Sequence, residues 1–366
     1  MNILFVGPYR QLDEWGHKSS ALLRAIEHRF DGLTSRPIYL SGIGSDGTFN
    51  TELATFDDYD VLIQFCLPMN AVYNGSFKKN IGVFNFESIP TVKRSLAISR
   101  INLMDELWVD SKEIAKSLRQ MTDTKISVLR PHIDNAVLEY NTGTIMRNDE
   151  TKDKFIFYFI GSIEQKSGIE EALCAYLSEF NINDNVGFFI LLESAAPSDK
   201  VQELIELCQR KVGSVRRNDK FPALHCLNPP EGFMGESRVT AHKEGDCFVS
   251  TAYTLGTNTS AIEAACFGNT PIINSLTESY RVLGDENAWG VESYKDSCIL
   301  NDRPFPDMFT ANEICQKPVI SSIASSMRSA FTDKFERDKK RKNNAEFKNS
   351  ITSPQHTEYL EELICS

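Results

Sequence analysis

The 366-residue sequence has no apolar run long enough to cross a bilayer. Its longest, at 155–160 and 188–192, fall far short of the ~20 residues required. It has no CxxC pair and no Cys/His cluster; the nine cysteines are scattered singly from Cys66 to Cys365. That pattern implies reduced, mostly buried thiols and no structural zinc. The six histidines are isolated, and no HxxxH or similar metal-ligand spacing occurs. GxGxxG, GxxxxGK[ST] and GxSxG are all missing, so a nicotinamide fingerprint, a P-loop and a nucleophile elbow are absent. Positive charge is also scarce: 39 Lys and Arg stand against 50 Asp and Glu, a net charge of −11. A general electrostatic grip on nucleic acid wants a basic surplus, although a local basic patch is still compatible with this balance. The start, MNILFVGPYR, lacks the basic and long apolar regions of a signal peptide and reads as a buried strand. The expectation is a cytoplasmic protein.

What remains is ordinary for a folded chain, 41% hydrophobic and 24% charged. Length alone suggests about two domains. Short β-rich segments at 2–6, 61–65, 81–86, 106–109 and 126–129, then 155–160, 187–192, 224–227, 247–249 and 271–274, alternate with helical patterns. The clearest helical patterns are 20–29, 113–121, 168–180, 198–211 and 259–266. The strands are continuous apolar runs, so helices should cover both faces of a parallel sheet. The pattern occurs twice, separated by a polar, small-residue stretch at 141–154. This predicts an α/β protein of two Rossmann-like, doubly wound parallel-sheet domains, 1–145 and 153–330, facing a central cleft. A helical tail, 331–366, follows. Between 331 and 350 it carries seven basic and four acidic residues, including Lys339-Lys340-Arg341-Lys342. Such a run is ordinarily a solvated helix face; the region 334–348 could otherwise contact an anionic surface or a polyanionic acceptor.

Three places could carry chemistry. The first is 246–274, DCFVSTAYTLGTNTSAIEAACFGNTPIIN, which reads as strand, glycine loop, helix, turn and strand. Gly256 permits close backbone approach. Thr257, Asn258, Thr259 and Ser260 present N–H groups at a helix start, suited to a diphosphate. Glu263, one turn in, could accept from both hydroxyls of a ribose; Ser260-x-x-Glu263 also fits a capping box that serves only the helix. The second is 155–168, where a strand ends at Gly161 and is followed by Ser162 and Lys166, a cation placed to meet a phosphate or simply solvent. The third is the first strand–helix loop, with Gly7, Tyr9, Gly16 and His17. His17 and His132 lie near strand ends where they could face a cleft. The acidic run Asp57-Asp58-Tyr59-Asp60 precedes a strand and reads as a turn, not a metal site.

Together these stretches resemble the glycosyltransferases of the GT-B fold, specifically the retaining family 4 (glycosyl transferases group 1) enzymes that use nucleotide sugars. The resemblance spans almost the whole chain. The opening strand with Gly7 and the Trp15-Gly16 loop are similar to the family's acceptor-domain start. The segment 79–111 ends in N-x-x-D-E-x-W-V-x-S, as in relatives, and VLRPHID (128–134) resembles the strand closing that domain. FIGSIEQKSGIEEALCAYLSEF resembles the phosphate-binding unit opening the donor domain. AIEAACFGNTPII resembles the helix bearing the second glutamate of E-x7-E.

The resemblance implies a retaining transfer from a nucleoside diphosphate sugar to a hydroxyl. Glu263 would bind the ribose, Asn258–Ser260 N–H groups and Lys166 the diphosphate, and Leu227 with Asn228 and Pro229 the base. Glu87 would lie on the acceptor side of the cleft. It implies no bound cofactor and no metal; the donor base, among UDP, GDP and ADP, stays open. So does the acceptor, whether glycan, lipid at a membrane surface, or modified nucleic acid. Three departures touch the reacting centre. Leu255 replaces the first motif glutamate, Ser162 stands where many relatives have a phosphate-binding arginine, and Phe65 stands where some carry a histidine. They leave open a catalytically eroded protein that binds a nucleotide sugar or glycan without turning it over.

Overall fold

The computed structural model describes residues 1–11, 13–38, 58–89, 96–140, 143–193, 198–216, 220–228, 234–299 and 313–366. Asp57, Asn141, Thr142 and Pro229, named above, and residues 90–95 of the 79–111 segment, lie outside them.

Two six-stranded sheets dominate. The first holds β1 (Ile3–Gly7), β2 (Leu33–Pro37), β3 (Val61–Phe65), β4 (Lys79–Val83), β5 (Glu106–Val109) and β6 (Lys125–Val128), in the order β2-β1-β3-β4-β5-β6. The second holds β7 (Phe155–Gly161), β8 (Val186–Leu192), β9 (Ala223–Leu227), β10 (Cys247–Ser250), β11 (Ile272–Asn274) and β12 (Trp289–Val291), in the order β12-β11-β10-β7-β8-β9. Every pairing in both sheets is parallel. The strand order reverses between β1 and β3 in one sheet and between β7 and β10 in the other. Ligands of doubly wound sheets collect at such switch points, beyond the carboxyl ends of the strands. A small antiparallel pair, β13 (Ser293–Ser297) and β14 (Ile314–Pro318), completes the strands.

The helices are α1 (Glu14–Glu27), α2 (Leu96–Ile101), α3 (Lys112–Leu118), α4 (Asn135–Glu139), α5 (Ile169–Glu179), α6 (Ser198–Arg216), α7 (Met234–Glu244), α8 (Thr259–Cys266), α9 (Glu278–Asn287), α10 (Ile320–Thr332), α11 (Lys334–Ile351) and α12 (Tyr359–Cys365). They cover both sheet faces, as the unbroken apolar strands require. Along β7, Ile156, Tyr158 and Ile160 join one buried cluster with α8, while Phe157 and Phe159 join another with α5 and α10. All seven residues of β8 are buried.

Three features refine the sequence reading. Helix α1 begins at Glu14 rather than at 20, because Asp13 caps it by accepting from Gly16 N (2.9 Å). In the 141–154 stretch, Met146 is 1% exposed within the second sheet's core, and Ile145 N and Met146 N both donate to Glu244. The basic run in α11 is not a purely solvated face. Lys340 is 4% exposed, donates to the Asp285 carbonyl and lies over the Trp289 ring, and Arg341 pairs with Asp246; Lys339 and Lys342 remain exposed. Helix α12 returns to the first sheet, where Leu360 and Ile364 pack with Ile3, Phe5 and Trp108. No helix among the described residues is long and apolar enough to cross a membrane.

Candidate functional site

A cavity of about 350 Å³ opens between the two sheets, at both switch points. From the first half come Asp13, which caps α1, Glu14, Trp15 and Lys18 of α1, and Asn85, Glu87 and Ser88 beyond β4. From the second come Gly161, Ser162, Glu164 and Lys166 at and beyond the end of β7, Glu193 beyond β8, residues 250–254 at and beyond the end of β10, and Thr257, Asn258 and Ser260 at the start of α8.

Asn258, not Ser260, caps α8: its side chain accepts from Ala261 N (2.9 Å). The capping-box reading of Ser260 and Glu263 therefore fails. The N–H groups expected to meet a diphosphate reach across the cleft instead. Thr259 N donates to Glu14 Oε1 (2.6 Å) and Thr257 N to Asp110 Oδ2 (3.0 Å), while Asn258 N donates to Ser279 Oγ (2.6 Å). Lys18 braces Asp110 (2.8 Å) and Asn85 (2.9 Å), and Gly256 sits directly against Asp110. Burial works to raise the Glu14 carboxyl and prevails over Lys18 and the Thr259 N–H, leaving it above its ordinary range.

Lys166 occupies a short turn after β7 and meets Glu87 of the first half at 3.1 Å, with Glu164 at 3.7 Å. Burial opposes both charges, but their mutual attraction outweighs it: Lys166 is held above, and Glu87 below, the usual value. The turn depends on Gly168. Its φ is +71°, and a Cβ there would lie 2.1 Å from the Thr251 carbonyl oxygen, so no side chain fits. Thr251 Oγ1 donates to the Gly168 carbonyl and Tyr253 N to the Lys166 carbonyl, stapling the turn to the end of β10. Ser162 lines the cavity, with its carbonyl accepting from Ser167 Oγ (2.7 Å).

Glu263 is 2% exposed and lies behind this wall. Arg238 Nη2 of α7 donates to its Oε1 (2.9 Å), and His242 Nε2 lies 3.5 Å from Oε2. Burial pushes the Glu263 carboxyl up, but Arg238 and His242 more than reverse that. Glu193 shows the opposite balance: burial, reinforced by Glu14 and opposed by Arg238, pushes its carboxyl up to about 8.

The remaining expected residues are scattered. Gly16 lets α1 start tightly, since a Cβ would lie 2.1 Å from the Gln11 carbonyl oxygen. Gly7 and Tyr9 support α1 and the first core and do not line the cavity. His17 adds to the positive field at Glu263. His132 is turned toward α12: Tyr359 stacks on it and shares a 2.8 Å hydrogen bond. Burial, with His356 and Arg130, pushes His132 down to about 3. It lines a separate apolar pocket of about 50 Å³, together with Phe65, Trp108 and Ile262. Leu227 packs into the second core, and neither it nor Asn228 lines the main cavity. Leu255 is 1% exposed and inserts into the first half's core beside Phe84, Phe86 and Ile98; its N–H donates to the Glu87 carbonyl (3.0 Å). Sequence reasoning missed Glu14, Lys18, Asp110, Glu193 and Arg238. Asp110 and Glu193 carried a readable signal, each being a carboxylate immediately after a buried strand. Arg238 carried none.

No protein-family profile and no curated protein matches the sequence. Solved structures do match in fold. Trehalose-6-phosphate synthase OtsA is 12% identical with a TM-score of 0.65, covering 100% of this chain and 99% of its own. Anabaena HepE in complex with UDP and glucose is 10% identical with a TM-score of 0.63, covering 100% and 99%. Sucrose-phosphate synthase from Thermosynechococcus elongatus is 10% identical with a TM-score of 0.64, covering 100% and 98%. The chain has the two-domain GT-B architecture of these proteins.

Proposed function

We propose that this protein is a glycosyltransferase that moves a sugar from a nucleoside diphosphate sugar to a hydroxyl acceptor in the cleft between the two sheets. One observation carries the reading. Three groups suited to a diphosphate, the N–H groups of Thr257 and Thr259 and the Lys166 ammonium, gather at one switch point, and each is engaged by a carboxylate of the opposite half. The site is built for anions and holds internal ones. That a related fold carries UDP and glucose supports the choice of ligand.

In the reaction, the departing diphosphate accumulates negative charge, and donors fixed in a water-poor cleft stabilise it without reorganising. Lys166 and the start of α8 fill that role. The leaving phosphate oxygen takes the acceptor's proton as the acceptor attacks the same face, so the anomeric configuration is retained. Glu263 accepts from the ribose. Lys166 and the N–H groups supply the compensating charge, so turnover needs no divalent metal and survives EDTA. The burial of Leu255 favours a second reading, a protein that binds a nucleotide sugar without turning it over: that position sends a methyl-branched chain into the neighbouring core and no carboxylate toward the sugar.

A thermal-shift screen against UDP, GDP, ADP, CMP and their sugars, followed by product analysis with glycan, lipid and DNA acceptors, tests both readings. A ligand at a hundred times its dissociation constant adds roughly 2.7 kcal/mol. Stabilisation with turnover and a retained anomer by NMR supports the enzyme, stabilisation without turnover the binding protein, and no stabilisation rejects both.

A further inference from the structure

Behind Glu263 runs a chain of buried polar side chains that the cavity wall does not explain. Tyr158, midway along β7, is fully buried, and its hydroxyl lies 2.8 Å from His242 Nδ1 and 2.8 Å from Asn269 Nδ2. Asn269 Nδ2 also donates to the His242 carbonyl (2.7 Å). A carbonyl only accepts, so the Asn269 atom facing it is the amide nitrogen, and the Tyr158 oxygen accepts from that same nitrogen. The hydroxyl's one proton then goes to His242 Nδ1. A neutral imidazole that accepts at Nδ1 carries its proton on Nε2, the nitrogen facing Glu263 Oε2 at 3.5 Å. From the other side Arg238 holds Oε1.

The cluster is sealed yet unsatisfied. Arg238 and Glu263 are 2% exposed and His242 0%. Even so, Glu263 Oε2, Arg238 Nε and Nη1, and Ser260 Oγ have no hydrogen-bond partner among the described residues. Buried polar atoms are nearly always paired, so several orphans around one carboxylate mark a place where a ligand supplies the missing partners. Ser260, one turn before Glu263, also lines the cavity and connects the cluster to it.

We propose that His242, fixed by Tyr158 and Asn269, acts with Arg238 as a positioning unit that holds Glu263 with its unpartnered Oε2 just behind Ser260 of the cavity wall, where it meets the vicinal 2′- and 3′-hydroxyls of a ribose once the entering nucleotide opens that wall. The inference rests on the nucleotide-sugar reading above and deepens it. The histidine and tyrosine do not touch substrate; they act through the carboxylate.

The test measures binding of UDP, GDP and ADP and of their 2′-deoxy counterparts to the full chain and to Tyr158→Phe, which keeps the ring but frees the imidazole to change tautomer. The wild-type protein is expected to prefer one ribonucleotide over its deoxy form by tenfold or more, and Tyr158→Phe to lose most of that preference while binding the deoxy form as before. A variant that weakens both forms equally, or neither, has a structural tyrosine and overturns the proposal. Wild-type binding with no ribose preference overturns it as well and leaves the nucleotide reading standing; no binding of any nucleotide removes both. Nitrogen-15 NMR of His242 in the wild-type protein decides independently of whether the variant folds: a proton on Nε2 supports the unit, and a proton on Nδ1 excludes it.

Discussion

At Leu255 a single side chain replaces a carboxylate implied by resemblance and changes what the position does. It is 1% exposed and surrounded by Phe84, Phe86 and Ile98 of the opposite half, so it works as an apolar peg joining the two sheets. Truncating a buried leucine removes both its transfer energy and its packing, typically 2–5 kcal/mol. Leu255→Ala is expected to lower the urea stability by about 2–4 kcal/mol; an unchanged midpoint would show that the peg carries no load. Glu193 gives a prediction of the opposite kind. Its carboxyl is pushed up from 4.5 to about 8. A raised value means the folded state holds the proton more tightly than the unfolded chain. The associated stability is full below about 4.5 and is lost as pH rises through about 8. Comparing urea midpoints from pH 5 to 8.5, the wild-type should decline and Glu193→Gln should decline less; parallel curves would mean that Glu193 ionises freely.

Among the elements, the legible ones were those whose chemistry is local. Continuous apolar runs marked β3, β7 and β8, and the glycine loop before α8 marked its start, because burial on both faces and helix initiation leave signals in adjacent residues. Strands β2, β12, β13 and β14 were not anticipated: β2 and β12 are edge strands, half-buried and polar or very short, β13 is largely exposed, and β14, though mostly buried, is polar at Gln316 and Lys317 and so shows no continuous apolar run. Helix α7 escaped for a chemical reason. Its inward face carries Arg238 and His242, so the apolar periodicity that identifies a helix is broken where the candidate site needs polar groups. The same cause hid the partners of Glu263: the glutamate was visible on α8, but the guanidinium that pairs with it is 25 residues upstream. Gly168 shows how an element end fixes a site. At φ +71°, with the Thr251 carbonyl 2.1 Å from any Cβ, Gly168→Ala must move either β10 or the Lys166 turn. Backbone strain of this kind costs of order 1–3 kcal/mol. The variant should lose at least that much stability and bind the nucleotide identified in the thermal-shift screen at least tenfold more weakly. Unaltered binding would mean that Lys166 does not depend on the turn.

For the whole molecule, the cross-cleft contacts define how the halves are held. Glu14 and Asp110 sit on the N–H groups of Thr259 and Thr257, Glu87 sits on Lys166, Glu278 accepts from Lys112 N (3.1 Å), and Leu255 is pegged into the first core. Three of these five contacts use the groups a diphosphate would use. A diphosphate cannot enter without displacing the carboxylates, so ligand affinity and cleft opening are linked: any energy that holds the halves together through these groups is subtracted from binding. Hydrogen bonds to charged groups contribute roughly 1.5–3 kcal/mol each, and a tenfold change in affinity is about 1.4 kcal/mol, so even a partial weakening of two of them shifts affinity tenfold. The double variant Glu14→Gln with Asp110→Asn keeps the side-chain sizes and removes the charges. It is expected to bind the nucleoside diphosphate about tenfold more tightly and, without ligand, to show a larger radius of gyration by small-angle scattering. The Leu255 peg lies outside the diphosphate contacts, so Leu255→Ala should open the cleft without removing the competing carboxylates. If the double variant instead bound more weakly at unchanged dimensions, Glu14 and Asp110 would be ligand-binding groups in their own right, and the competition between internal and external anions would have to be abandoned.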